Sequence, residues 1–521
     1  NLMKRYSDNV KIFANAYVSV ELMKGLKYKL NLTPDFQFYR YNSYEGLFDF
    51  GLAKHDITAV TEQQTRTRNI LVENLLTFDR TFGDHKVSAL VGYTYQDSRY
   101  RYMQGSGQGM PTGITEIDAA SQGLAVSGNS SRSVLTSILG RAFYSYKNRY
   151  LLTATIRRDG SSKFGSNYRY GNFPSVSVGW NIAEEDFVKN SVSWLDQLKL
   201  RGGYGVLGNQ EIDNYQYVSV VTTGINYPDG KSGLIQGAFP KTFANPDIKW
   251  EETAMTNVGI DFMALRNRLT LTADWYVKNT KDILLNVPIP ISTGGANDPI
   301  RNAGKIRNQG FEFNLGWNES LNKDLSYGVS FLGTYNKNEV VEMGAESQVI
   351  TGGTIHGGTY TSRTLAGYPI GGFWLIPTDG YFNSTEEVQA HQKDGVLIQP
   401  SAEPGDIRFK DTNNDGTIND EDRVYCGSPF PKFTYSINGN ITYKNVDFSI
   451  GFQGVTGNKI YNATKLELTD VTRGTNYLAS TLDYWTPENQ NASSPRLIWT
   501  DPNRNARSES DRYLESGSYF R

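Results

Sequence analysis

The sequence predicts an all-β fold, a transmembrane antiparallel β-barrel with long extracellular loops, on grounds of pattern, order and composition. The pattern is plainest between Phe433 and Gln453. Phe433, Tyr435, Ile437, Gly439, Ile441 and Tyr443 alternate with Thr434, Ser436, Asn438, Asn440, Thr442 and Lys444. After a tight Lys444–Asn445 turn, Val446, Phe448, Ile450 and Phe452 alternate with Asp447, Ser449, Gly451 and Gln453. A period of two places the apolar side chains on one face of a hairpin and the polar ones on the other. Each arm has about ten residues, enough for a tilted strand to cross hydrocarbon, whereas soluble sandwich strands run nearer five or six.

The order is strand, short turn, strand, long loop, repeated. Residues 10–20 pair with 26–40 across Lys24–Gly25, and 70–80 with 86–96 across Gly83–Asp84, with Val87, Ala89, Val91, Tyr93 and Tyr95 on one face. Next come 136–146 with 150–158 around Lys147–Asn148–Arg149, then 174–182 with 198–206, whose connection holds Glu184, Glu185 and Asp186. A further pair runs through Trp250–Phe262 and Leu269–Val277, and another through Phe311–Trp317 and Leu325–Tyr335. With the Phe433 hairpin these make about fourteen strands. The segments 97–134, 159–173, 207–248, 279–305, 337–431 and 455–521 are rich in Gly, Asn, Ser, Thr, Asp and Pro and read as loops. Short turns on one side and long loops on the other are the arrangement of a bacterial outer-membrane barrel. A soluble β protein shares the alternation, but several very long loops on one side argue against it. Trp180, Trp250, Trp275 and Trp317 fall on apolar strand faces and are expected at the membrane interface or toward lipid.

Composition agrees. The 521 residues are 38% hydrophobic and 13% aromatic, with 33 Tyr, 25 Phe and 51 Gly. Mean hydropathy is −0.49, and no apolar run approaches the roughly 18 residues of a membrane helix. A barrel tolerates this polarity because its lumen-facing residues dilute the average. A net charge of −2 gives no global argument for nucleic acid. Cys426 is the single cysteine, which excludes an intrachain disulfide and a cysteine-based structural zinc site. The chain opens at Asn1 without an initiator Met and stops at Arg521 within a segment that reads as the approach to another strand. It is therefore expected to be part of a longer protein.

Catalytic patterns are absent from the sequence. His55, His85, His356 and His391 are scattered without metal-ligand spacing. Cys426 has no neighbouring base and reads as inert, and no G-x-S-x-G elbow occurs. The sharpest local motif is acidic: Asp411, Asn413, Asp415, Gly416, Thr417, Asn419 and Asp422 stand at positions 1, 3, 5, 6, 7, 9 and 12 of an EF-hand-like calcium loop. Asp422 in place of Glu at position 12, and loop instead of helix on both flanks, depart from that pattern. An Asx-rich turn without metal is the other reading. If Ca²⁺ binds, its role is structural, stiffening the 337–431 excursion. In the same excursion Phe373, Trp374, Tyr381 and Phe382 lie among glycines; contact with ligand, contact with a partner, and plain packing all fit. Tyr215, Tyr217 and Tyr227 in loop 207–248 carry the same ambiguity.

Several ordered segments carry a resemblance. They are Leu198-Lys-Leu-Arg-Gly-Gly-Tyr-Gly-Val-Leu-Gly-Asn209, Ile248-Lys-Trp-Glu-Glu252 with Asn257-Val-Gly-Ile-Asp261, and Asn279-Thr-Lys-Asp-Ile-Leu-Leu-Asn286 before Arg307-Asn-Gln-Gly-Phe-Glu312. Pro404-Gly-Asp406 with the acidic loop, and Asp511-Arg-Tyr-Leu-Glu-Ser-Gly-Ser-Tyr519, complete the set. In order and rough spacing the chain resembles the SusC/RagA family of TonB-dependent outer-membrane transporters, over most of residues 1–521. The resemblance implies a 22-stranded barrel and import of oligosaccharides or peptides into the periplasm. It also implies a SusD-like surface lipoprotein as lid and TonB energy delivered through a plug that this chain lacks. A non-energised outer-membrane porin, or a surface scaffold or adhesin, is the alternative.

Overall fold

A computed structural model describes residues 3–51, 53–228, 230, 233–287, 292, 298–344, 349–355 and 358–521. Its contacts divide into two compact units: Asn1–Lys189, Lys199–Thr256 and Thr280–Ala303 in one; Asn190–Leu198, Asn257–Asn279 and Gly304–Arg521 in the other.

In the first unit an antiparallel ladder follows chain order. Met3–Phe13 and Ala16–Met23 both pair with Leu26–Glu45, followed by Ala59–Phe82, His85–Gln108, Gln122–Tyr146, Tyr150–Ser161, Tyr170–Asn181 and residues 199–205. The 10–20 segment, read as one strand, is interrupted at Ala14–Asn15, yet its register does not shift. Phe13 faces Asp35 and Ala16 faces Leu32. The gap arises because Pro34, on the facing strand, has no N–H to donate; its carbonyl still accepts from Ala14 N at 3.1 Å.

The second unit repeats the scheme with Lys305–Asn322, Leu325–Glu342, Phe433–Tyr443, Val446–Thr456 and a short Tyr519–Phe520 edge. Strands Glu251–Ala264 and Leu269–Lys281 form where alternation placed them. Counting Met3–Met23 as one arm and leaving out the two-residue Tyr519–Phe520 edge, the wall strands number the fourteen expected among the described residues.

One strand face of the first unit carries an exposed apolar stripe across four strands. Val91 is 59% exposed, Ile138 58%, Ile156 52% and Val178 55%. All four lie on one face by register, since Val91 pairs through Gly140 to Ile156, and Val178 faces Leu152. In water such a surface is untenable; against lipid it is the stabilising contact. The reverse face of His85–Gln108 carries Lys86, Ser88, Thr94 and Gln96, as a wet lumen requires.

One of the expected loops is largely strand. Residues 97–108 and 122–134 continue the ladder, leaving only 109–121 as a tip. Likewise 159–173 is shortened by Tyr150–Ser161 and Tyr170–Asn181, and 207–248 contains a hairpin, Val220–Pro228 with Leu234–Thr242. The 337–431 excursion begins later, because its preceding strand runs to Glu342. It folds as a small layer of its own: Ile350–Thr351, Ser362–Thr364, Gly372–Leu375 and Val424–Gly427 form a sheet. A short helix, Thr385–Ala390, starts where the Ser384 side chain accepts from Glu387 N. Trp250 departs from its expected place. It is 5% exposed, packed among Phe164, Phe173, Ile212 and Ile248, with its indole N–H on the Arg169 carbonyl.

Candidate functional site

Beyond its strands the second unit is built around buried charge. Asp406 is fully buried. Its two oxygens accept from Arg496 Nε at 2.7 Å and Nη2 at 3.0 Å, from Asn505 Nδ2 at 2.8 Å and from Glu403 N at 2.9 Å. Gln399 and Asn503 bond each other and the Ile407 carbonyl. Together they tie the 399–409 segment to 496–505, a satisfied polar network that fixes one arrangement of two long segments.

The acidic motif hangs from this layer. Asp411 accepts from Asp415 N at 3.1 Å and Gly416 N at 2.8 Å. Asp415 accepts from Thr417 N and Oγ1, both at 2.8 Å, and from the Asn413 and Asn419 amides. The Asn413 and Thr417 hydrogen bonds hold the Asp415 carboxyl down to about 2. Asp422, fully buried, accepts from Thr412 N at 2.7 Å and Asn419 N at 2.8 Å, closing a capping box on the turn 420–422. Gly416 takes φ of 93°, the left-handed geometry its place in the motif requires. The six predicted ligands are therefore in one turn, but the carboxylates are engaged by the loop's own amides. Among the described residues no three His, Cys, Asp or Glu side chains converge as a metal group. In this arrangement each Asp422 oxygen already accepts one backbone N–H, from Thr412 and from Asn419.

The four loop aromatics are mostly interior. Phe382 is fully buried with Val388 and Ala402, and Phe373 is 9% exposed. Tyr381 packs on Ile376, Ile407 and Phe409. Trp374 meets Tyr368 and Tyr425 at ring separations of 4.8 and 6.1 Å. Packing, one of the three roles open to them, accounts for these contacts and leaves Phe373 and Phe382 almost no free face for a solute. Cys426 lies on the sheet strand Val424–Gly427, and burial, then Asp511, push its thiol up. Burial likewise keeps His391 below the usual range. Of the remaining histidines, His55 donates from Nδ1 to the Gly46 carbonyl, His85 pairs with the Tyr144 hydroxyl, and His356 falls outside the described residues.

A surface the sequence reading missed lies between 471 and 499. Leu482 is 76% exposed, Trp499 64%, Leu497 44%, Leu478 39% and Tyr477 38%. They line an open depression of about 430 Å³. The run Leu497-Ile-Trp499 inside a polar loop segment was its only sequence trace. In the first unit the Val220–Pro228 hairpin is similarly bare, with Val221 57% and Leu234 70% exposed.

Comparison with known proteins decides the family. The profile described as "TonB dependent receptor-like, beta-barrel" matches residues 6–521. The chain belongs to this family. TonB-dependent receptor P3 of Formosa agariphila is 30% identical over 98% of the chain, which covers 50% of that receptor. TonB-dependent receptor SusC of Bacteroides thetaiotaomicron is 33% identical over 63% of the chain and 32% of its own length. The RagAB peptide transporter superposes with a TM-score of 0.83 at 22% identity, covering all of this chain and 55% of the other. The chain thus spans about half the length of the curated receptors it matches. It is an outer-membrane barrel of a Gram-negative bacterium, similar to SusC and to the RagAB transporter, and the family is one of receptors, not enzymes.

Proposed function

We propose that the barrel serves a SusC-type importer that admits oligosaccharides or peptides to the periplasm under a SusD-like lipoprotein lid, driven by TonB through a plug outside this chain. The observation that carries the lid is the bare apolar depression around Leu482, Leu497 and Trp499, set among polar loop residues. Exposed aromatic and aliphatic side chains around a concavity mark a protein contact more often than a solvated surface. The 22-strand wall and the oligomeric cargo are supported by likeness to SusC and to the RagAB peptide transporter.

The test is mild-detergent purification of the full-length receptor from its native membrane, with the lipoprotein counted by mass spectrometry. A one-to-one lipoprotein that falls by about tenfold in a Leu482→Ser, Trp499→Ser variant supports the reading, as loss of a central apolar anchor does at interfaces. Uptake that persists without TonB would favour the porin alternative.

Calcium belongs to the same proposal. A Ca²⁺ ion taken up by Asp411, Asn413, Asp415, Thr417, Asn419 and Asp422 would exchange amide hydrogen bonds for oxygen ligation and stiffen the excursion. Faster proteolysis of residues 337–431 in chelator is the expected result; equal rates with Ca²⁺ and chelator remove calcium from the reading.

A further inference from the structure

Five arginines crowd the outer face of the first unit where its apolar stripe ends. On His85–Gln108 the lipid-facing series Val87, Ala89, Val91, Tyr93, Tyr95 continues as Asp97, Arg99 and Arg101. The ladder sets Arg66 opposite Arg101, Arg68 opposite Arg99, and Arg99 opposite Arg132. Directly opposed residues share a face at about 5 Å between Cα atoms, and like charges so placed repel.

One carboxylate answers them. Asp97 reaches Arg132 at 3.0 Å, Arg99 at 3.2 Å and Arg68 at 3.4 Å. Among the described residues Arg66 and Arg101 have no acidic partner; Arg66 lies over the Phe38 ring. Arg68 Nε is buried without a hydrogen-bond partner. Five guanidinium groups against one carboxylate leave four positive charges uncompensated. They line an open cavity of about 920 Å³ whose remaining wall includes Tyr100, Tyr102, Asn129 and Ser130. The Tyr215 hydroxyl pins one side by bonding the Arg132 backbone N–H at 3.1 Å and its carbonyl at 3.3 Å.

We infer that this cavity binds the phosphate groups of an outer-leaflet glycolipid. Guanidinium forks match phosphate oxygens two at a time, and Arg is favoured over Lys for that geometry. The position selects the lipid source: the site opens outward, directly above Tyr93 and Tyr95, where interfacial aromatics and lipid headgroups meet. A lumen-facing cluster would instead meet solutes in transit.

The experiment uses the full-length receptor in phosphatidylcholine nanodiscs doped with bisphosphorylated or dephosphorylated lipid A, with bound glycolipid counted by native mass spectrometry. Heat-modifiable gel migration verifies that each variant is folded. Wild type should retain the phosphorylated form selectively. Arg66→Gln, Arg99→Gln, Arg101→Gln combined should lower retention by about tenfold, and the matching Lys variant should recover part of it. Arg101→Gln alone serves if the triple variant does not fold. Arg141→Gln, on the opposite face, should leave retention unchanged. Equal retention of both lipid A forms, or by the Gln variants, overturns the inference. Complete displacement by millimolar inorganic phosphate assigns the cavity to free phosphate and overturns the lipid.

Discussion

Asp406 and Arg496 show how single residues hold the extracellular layer. A fully buried carboxylate with an arginine and two further donors is stable only as a complete set. Asp406→Ala removes the buried acceptor of the Asn505 amide and the Glu403 N–H and leaves Arg496 with Glu403 alone; it should destabilise the layer by about 1–3 kcal/mol. Limited proteolysis should then cut residues 377–431 faster while the barrel's heat-modifiable migration is unchanged. Asp415 gives the second expectation at this scale. Its folded carboxyl lies at about 2, below its ordinary 3.8. A depressed value contributes stability that is present above 3.8 and is lost as pH falls toward 2. Protease resistance of the acidic turn should decline across that interval, and Asp415→Asn should abolish the dependence. Residues were only partly legible in the sequence. The acidic spacing identified one turn correctly, because Asp, Asn and Gly at fixed offsets dictate local geometry. Nothing local announced that Asp422 would be spent on Thr412 and Asn419, or that Phe382 would be interior, since both depend on segments distant in the chain.

Elements were more legible wherever lipid imposes a face. The first arm of Gly83–Asp84 was read only from residue 70 and the second only to 96, although the strands are Ala59–Phe82 and His85–Gln108. The apolar face stops at Tyr95, and beyond it Arg99, Arg101, Arg66 and Arg68 leave both faces polar. In water a strand needs only its ladder, so period-two hydrophobicity vanishes while pairing continues. Trp250 failed the same test from the other side: apolar alternation put it on a wall, but its ring packs with Phe164 and Phe173. Turns offer a direct check. Gly25 has φ of 83°, and a Cβ there would stand 2.4 Å from the Asp79 carbonyl oxygen. Gly25→Ala should cost about 1–3 kcal/mol. Gly83→Ala, at φ of 56° with open space around it, should cost less when denaturation midpoints are compared in detergent.

For the molecule as a whole, the decisive fact is that its strands carry exposed apolar side chains. Val91→Arg, at an exposed lipid-facing position, should cost about 2–4 kcal/mol if it lies near the bilayer midplane. Thr94→Arg, on the opposite face, should cost far less; refolding into vesicles followed by urea titration separates the two. Fold class and membrane setting were therefore readable from one face of each strand, while the bare depression at Leu482 and Trp499 was not, because exposed loops obey no period. The long strands carry one more consequence. The 24 residues of His85–Gln108, at about 3.3 Å each and leaning about 40°, climb roughly 60 Å, of which the apolar band takes about 25 Å. The remainder is a hydrogen-bonded palisade standing in water. Antibodies or phage fibres that seize the tip at 109–121 do so several nanometres off the membrane, at a stand-off set by rigid ribbon and not by loop slack.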